Sequence, residues 1–216
     1  MDLEAILFDL DGVLIDSEPR WQEYWTREVF PRVERGTPTL DDVTGRNFRE
    51  ALSRLDDEYG LPDKRSVEES ILSEAEQFYR NEESLVFSTD SLFETIQQEG
   101  MLVGIVSSSP RSWIDAAVSE YDTHFDIIVS VEDIDKPGKP NPAVYEHAMK
   151  NLDVEADGCI VVEDSDTGIE AAAAAGASVI RFQSYGDTED HPEADAVARD
   201  KEALRDLIRR RLFVRQ

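Results

Sequence analysis

Near the start of the chain the apolar run Ala5-Ile6-Leu7-Phe8 leads into Asp9-Leu10-Asp11-Gly12-Val13, two carboxylates one residue apart ahead of a glycine turn. Neighbouring residues of a strand point to opposite faces, so Asp9 and Asp11 share a face if the strand continues. Two carboxylates that close repel each other unless a cation or a shared proton holds them. Aspartate also lacks the β-branching that suits a buried strand. Taken alone, the pair fits a strand end capped by solvated acids, but fold stability does not ask for this arrangement, and a reactive site does.

Three later segments add matching chemistry. Val103-Gly104-Ile105-Val106 ends in the hydroxyls Ser107, Ser108 and Ser109, followed by Pro110, a residue that opens helices. Gly138-Lys139-Pro140-Asn141-Pro142 sets a lysine in a loop that its prolines stiffen. Cys159-Ile160-Val161-Val162 ends in Glu163-Asp164-Ser165-Asp166-Thr167-Gly168. In a parallel sheet such strand ends line up along one edge, where α/β proteins bind ligands. That edge would then carry carboxylates for a hard cation, with hydroxyls, backbone N–H groups and an ammonium for an anion. Cation and anion beside a carboxylate nucleophile read as phosphoryl transfer.

The elements that must position these residues follow a regular alternation. Strands are expected near 4–9, 102–107, 126–131, 158–162 and 177–182, and helices near 90–99, 110–120, 142–151 and 166–175. Gly100 and Gly176 sit where helices stop, and Pro110 and Pro142 where they start. Such alternation predicts α/β architecture, a doubly wound parallel sheet. The segment from Ser17 to Ser84 has no strand of that type. Trp21, Trp25 and Val29, then Leu52 and Leu55, then Ile71, Leu72, Ala75 and Phe78 recur at helical spacing and predict a small bundle. Inserted between the first two strands, that bundle would sit over the reactive edge as a lid, its aromatic stripe serving as its own core. A helix over 200–216 with the basic end Arg209-Arg210-Arg211 is read as structural, because cations favour a helix C-terminus.

On the motifs Asp9-Leu10-Asp11-Gly12-Val13, Ser107, Lys139 in Lys-Pro-Asn-Pro and Glu163-Asp164-Ser165-Asp166-Thr167-Gly168, the chain resembles the haloacid dehalogenase superfamily, in the branch with a helical cap inserted after the first strand. The resemblance implies a Rossmann-like catalytic core over 1–16 and 85–216 and a cap over 17–84. It implies Asp9 as the nucleophile that takes the phosphoryl group and Asp11 as general acid and base. It implies Mg²⁺ held by Asp9, the backbone carbonyl of Asp11 and Asp164, with Glu163 helping directly or through water. Ser107, the N–H of Ser108 and Lys139 would bind the phosphate oxygens. The cap stretch Gly45, Arg46 and Asn47 is the counterpart of the loop that selects the leaving group, with Arg46 either binding a second anionic group or pairing with a cap acid. Dehalogenases of the superfamily lack the second motif aspartate, which Asp11 supplies here. Sugar-phosphate mutases similar to β-phosphoglucomutase carry a histidine where this chain has Trp21, and the phosphonate-cleaving members use a cap lysine, for which Lys64 lies too far along. The implied activity is a Mg²⁺-dependent phosphatase acting on a small phosphorylated metabolite, a sugar phosphate or phosphoglycolate, with a mutase as the alternative.

Composition narrows the setting. The 216 residues suffice for one core and a modest insertion, and 40% hydrophobic content is enough to pack it. No apolar run reaches the roughly 18 residues of a membrane span, and no signal-peptide pattern opens the chain, so a cytoplasmic protein is expected. Cys159 is the single cysteine, an expected inert core residue, and His124, His147 and His191 show no zinc spacing. With 48 acidic and 22 basic residues the formal net charge is −26, spread along the chain rather than gathered in a tail. Among the basic residues, 17 are arginine and 5 lysine. Nucleic-acid binding, which needs positive surface to displace counterions, is not expected, and neither is a membrane partner; a monomer or weak dimer is. Such a surplus of acids destabilises the compact state by self-repulsion that salt screens, which points to a salt-rich, halophilic interior. The thermal midpoint is therefore expected to climb between low salt and molar KCl, by about 2–4 °C for each kcal/mol of repulsion removed; an identical midpoint in both would remove the halophile reading.

Overall fold

The computed structural model describes residues 3–44, 46–80, 85–87, 92–183 and 190–213. All five expected strands form: β1 (Ala5–Phe8), β2 (Leu102–Ser107), β3 (Ile127–Ser130), β4 (Cys159–Glu163) and β5 (Ser178–Phe182). A sixth, β6 (Ala196–Ala198), was not expected, because three residues between the charged Asp195 and Arg199 carry too short a pattern to read. The strands pair in parallel in the order β3-β2-β1-β4-β5-β6. The chain runs outward from β1 through β2 to β3, then crosses back to lay β4 against the other side of β1. Ligands of doubly wound sheets bind at such a reversal. In register, Phe8 lies between Ile105 and Val162, so Asp9, Ser107 and Glu163 leave neighbouring strands at the same edge.

Alternate residues of each strand feed two separate cores, as a sheet covered on both sides requires. Ile6, Phe8, Val103, Ile105, Ile160, Val162, Ile180 and Phe182 face α4 (Leu92–Gln98), α5 (Arg111–Val118) and α8 (Lys201–Phe213). Ala5, Leu7, Val106, Val129, Cys159, Val161 and Val179 face α6 (Ala143–Leu152) and α7 (Asp166–Ala174), whose Ala148, Ala171 and Ala172 let the helices lie close.

Between β1 and β2 the chain is helical: α1 (Glu18–Tyr24), which runs on into a π-helical turn over Trp25–Val29, then α2 (Phe48–Tyr59) and α3 (Lys64–Tyr79). Asn47 opens α2, its side-chain oxygen accepting the Glu50 N–H at 3.0 Å. The buried face of α3 differs from the expected one. Val67, Ile71, Ala75 and Tyr79 are buried, whereas Leu72 and Phe78 are half-buried. A run of i, i+4 steps turns slightly past a full helical turn each time, so the stripe ends on Tyr79 rather than Phe78. That one-residue shift turns the Tyr79 hydroxyl toward the strand edge. The apolar cluster of these helices continues unbroken into that of the sheet face, with Trp113 of α5 against Trp21, Phe48 and Tyr79.

The junction of β4 with α7 is tightly packed. Ser165 caps α7, accepting the Gly168 N–H at 3.1 Å while its hydroxyl donates to Glu163 Oε2 at 3.0 Å. Gly168 is consequently pressed against that carboxylate: a Cβ there would stand 1.9 Å from Glu163 Oε1. Glu163 is fully buried and cannot yield without losing its donors. Gly168→Ala is expected to cost about 1–3 kcal/mol, the usual range for forcing a methyl into a packed interior, read as a lower urea midpoint; an unchanged midpoint would mean that Glu163 has room to move.

Candidate active site

The turn after β1 is built by backbone bonds. Gly12 N–H donates to the Ile15 carbonyl at 2.8 Å, and Leu14 and Ile15 N–H both donate to the Leu10 carbonyl at 2.9 Å. Gly12 adopts φ +78°, and a Cβ on it would overlap Asp164 Oδ2 at 1.9 Å. Glycine is thus required twice over, by the left-handed backbone and by the approach of Asp164. Asp9, extended beyond β1 with its N–H on the Val162 carbonyl at 2.9 Å, points its carboxylate into the same space.

Lys139 organises this edge. Its ammonium donates to Asp9 Oδ1 at 2.5 Å, Glu163 Oε1 at 2.6 Å and the Val106 carbonyl at 3.1 Å, which uses all three of its protons. Glu163 in turn accepts from Lys139 and from the Tyr145 hydroxyl at 2.7 Å on Oε1. On Oε2 it accepts from the Asp164 N–H at 3.1 Å, the Ser165 N–H at 3.2 Å and the Ser165 hydroxyl. Five donors fill its lone pairs. Glu163 therefore fixes Lys139 and the start of α7 from behind, and the acid that faces the open space beside Asp9 is Asp164.

Electrostatics match that division. Burial pushes the Asp9 carboxyl well above the usual carboxylate range, with Lys139 working against the shift and the charges of Glu163 and Asp11 adding to it. Burial also raises Asp164, reinforced by Glu163, Asp9 and Asp11. For Lys139 burial acts to lower the value, and the anions Asp9 and Glu163 more than offset it, so the ammonium stays charged. Asp9, Glu163 and Asp164 each offer an oxygen within 4.8 Å of the others. One ammonium among these carboxylates leaves an excess of negative charge in a low-dielectric site, which a divalent cation with oxygen ligands would relieve. The donor set fits such an ion.

Asp11 is held from two sides. Tyr79 donates to Oδ1 at 2.5 Å and the Ser109 hydroxyl to Oδ2 at 2.7 Å. Burial, then the charge of Asp11, pushes the Tyr79 phenol well above its usual range, so it remains a neutral donor. Ser107 is buried at the end of β2 and accepts the Ser109 N–H at 3.0 Å, which leaves its own proton to donate. Ser107, Ser108, Lys139, Asp9, Asp11 and Asp164 all line one cavity of about 820 Å³, whose far wall is Trp21, Phe48, Tyr79 and Trp113. Arg46 and Asn47 line it too. Arg46 is exposed and forms no ion pair with a described residue, so the alternative of a cap acid holding it is not realised among them. The Asn47 oxygen is committed to capping α2. Gly45 lies outside the described residues.

Three partners escaped the sequence reading: Tyr79, Ser109 and Tyr145. Ser109 was written in the Ser-Ser-Ser run, where nothing distinguishes one hydroxyl from the next; the tyrosines carried no signal beyond their place on a buried helix face.

Comparison with known proteins agrees with this geometry. The model of the haloacid dehalogenase-like hydrolases matches residues 3–176. Validoxylamine A 7'-phosphate phosphatase of Streptomyces hygroscopicus subsp. limoneus is 32% identical over 211 residues, covering 94% of this chain and 96% of that one. Hexitol phosphatase B of Escherichia coli (strain K12) is 28% identical over 190 residues, 79% of each chain. Among solved structures, a putative β-phosphoglucomutase from Thermotoga maritima superposes with a TM-score of 0.70 at 25% identity, over 95% of this chain and 99% of its own. With four motifs gathered at one sheet edge and this likeness along nearly its whole length, the chain belongs to the haloacid dehalogenase-like hydrolases.

Proposed function

We propose that this protein is a phosphoric monoester hydrolase that releases phosphate from a small phosphorylated metabolite by way of an aspartyl phosphate on Asp9. The observation that carries the reading is the pairing at the sheet edge: a buried carboxylate held by an ammonium, Lys139 to Asp9 at 2.5 Å, next to a second carboxylate held by hydroxyls instead. The first is aimed by the ammonium, which favours its charged form against burial; the second would exchange the proton.

In the first step an Asp9 oxygen forms a bond to phosphorus as the bond from phosphorus to the leaving oxygen breaks, and the Asp11 carboxyl gives that oxygen its proton. In the second, a water attacks the acyl phosphate and passes a proton to the Asp11 carboxylate. The Asp9–phosphorus bond breaks, phosphate leaves and Asp11 is reset. The Ser107 hydroxyl and the Ser108 N–H bind phosphate oxygens. Lys139 holds Asp9 in place; a contact from its ammonium to phosphate requires it to exchange one of its three bonds. Asp9, Asp164 and the backbone carbonyl of Asp11 would hold Mg²⁺, with Glu163 acting through Lys139 and the α7 junction. When bound, the ion offsets the repulsion between the Asp9 carboxylate and a phosphate dianion.

Trp21, at the position where the mutases carry a histidine, has no proton to exchange near neutral pH and supports hydrolysis over phosphoryl transfer between sugar hydroxyls. The two relatives described above are named for validoxylamine A 7'-phosphate and for a hexitol phosphate. A cavity of about 820 Å³ with an aromatic wall has room for a sugar-sized leaving group, which favours a sugar phosphate over phosphoglycolate. The helices over 17–84 would serve as the cap above a core of 1–16 and 85–216. We place the enzyme in a salt-rich cytoplasm as a monomer or weak dimer, in keeping with its charge of −26 and with no described helix long and apolar enough to cross a membrane.

The test is phosphate release from a panel of phosphomonoesters in molar KCl with Mg²⁺. Asp9→Asn is expected to lower turnover roughly 10³-fold or more while the circular-dichroism spectrum stays that of a folded chain, Glu163 still pairing the Lys139 ammonium, and EDTA to stop wild-type turnover until Mg²⁺ is restored. Near-wild-type release by the variant would remove Asp9 as nucleophile, and full activity in EDTA would remove the metal.

A further inference from the structure

We propose that Tyr79 is a positioning residue for the reaction, orienting the Asp11 carboxyl toward the leaving-group oxygen. The assignment rests on the phosphatase reading above and adds to it a residue from the inserted helices.

Asp11 sits on a turn, half-buried, where its side chain could rotate freely. Two hydroxyls from distant parts of the chain prevent this: Tyr79 on Oδ1 and Ser109 on Oδ2, 68 and 98 residues along. The Tyr79 bond has a direction built into it. The Trp21 indole, which can only donate, reaches the Tyr79 oxygen at 3.4 Å. With a donor arriving at that oxygen, the single phenolic proton is turned to Asp11. Oδ1 is thereby fixed as an acceptor, and a carboxylic proton on Asp11 belongs on Oδ2, where the Ser109 hydroxyl, donating at 2.7 Å to the carboxylate, can rotate to make way for it.

The ring itself cannot move to accommodate another arrangement. Tyr79 is fully buried, stacked on Trp113 at 5.5 Å and 22° and set edge-on to Phe78 at 4.9 Å. Packing alone would be served as well by phenylalanine. The hydroxyl is an added polar group in an aromatic cluster, where an unpartnered one is costly, and the carboxylate that satisfies it is Asp11. What the hydroxyl contributes is therefore the angle of that carboxyl, not the stability of the helix.

The experiment compares two substrates in wild type and Tyr79→Phe, which deletes the hydroxyl and keeps the ring. A hexose 6-phosphate releases an alkoxide that must be protonated as it leaves; p-nitrophenyl phosphate releases a stable phenolate that needs no proton. A positioned general acid is worth about 10²–10⁴-fold, so kcat/KM for the sugar phosphate should fall about tenfold or more, and that for the aryl ester less than about threefold. The circular-dichroism melt should keep its midpoint. Trp21→Phe, which removes the indole donor behind Tyr79, should show a smaller loss with the same dependence on leaving group, and it carries the test if Tyr79→Phe does not fold. Equal losses on both esters, or no loss on the sugar phosphate, would overturn the assignment. Wild-type enzyme inert toward both esters would instead overturn the phosphatase reading, and this assignment with it.

Discussion

An ammonium buried between two carboxylates governs this structure. Lys139 reaches Asp9 and Glu163 at 2.5 and 2.6 Å with all three side chains almost fully withdrawn from solvent. Burying charges costs several kcal/mol per ion, and removing one partner of such a pair typically costs about 3–5 kcal/mol because the other charge is left behind. The arrangement holds because every remaining valence is filled: the third Lys139 proton by the Val106 carbonyl, and the remaining Glu163 lone pairs by the Tyr145 and Ser165 hydroxyls and the N–H groups of Asp164 and Ser165. The loop bearing Lys139, the ends of β1, β2 and β4, and the first turn of α7 are thereby tied at one point. A fold optimised for stability alone would place apolar side chains there.

The same tie settles what each acid can do. Glu163 and Asp164 are neighbours in sequence, yet one is turned inward and saturated with donors and the other faces the space beside Asp9. The difference comes from strand geometry: consecutive residues point to opposite sides, so at the end of β4 one acid goes to Lys139 and the next to the open edge. Gly12 and Gly168 then allow the backbone to press against these carboxylates where any side chain would displace them.

Much of this was legible in the residues themselves. Strand ends with paired acids, hydroxyls or a proline-bound lysine are short-range patterns, and the parallel sheet that lines them up follows from the alternation of strands and helices. Five strands and the helices α4 to α7 were expected to within a residue or two at most ends. The failures share one physical cause. β6 is three residues long and is held by β5, not by its own pattern. The face of α3 turned by one residue because a helical stripe specifies a sector, and Trp113, from a helix that comes after it in sequence, decides which side chain in that sector goes deepest. Glu163 stays in the acid cluster with Asp9 and Asp164, but the sequence cannot display the donors that also occupy it. Asn47 likewise carried two roles in its residue type, substrate contact and helix cap, and only the start of α2 shows its oxygen committed to the cap.

The contrast between Asp9 and Asp11 follows from where their partners come from. Asp9 is held by a lysine in a core loop, through charge, in a setting that four motif segments already implied. Asp11 is held by neutral hydroxyls, one from the run after β2 and one from the last turn of α3, with Trp21 of α1 behind it. The ammonium favours the charged form of Asp9, the form the proposed nucleophile needs, against the burial that opposes it. Hydroxyl partners leave no buried cation stranded beside Asp11, which suits the proposed proton carrier. The helices between β1 and β2 thus do more than line the cavity: through Tyr79 and Trp21 they hold the Asp11 carboxyl, and they do so with side chains whose chemistry, in sequence, is indistinguishable from core packing.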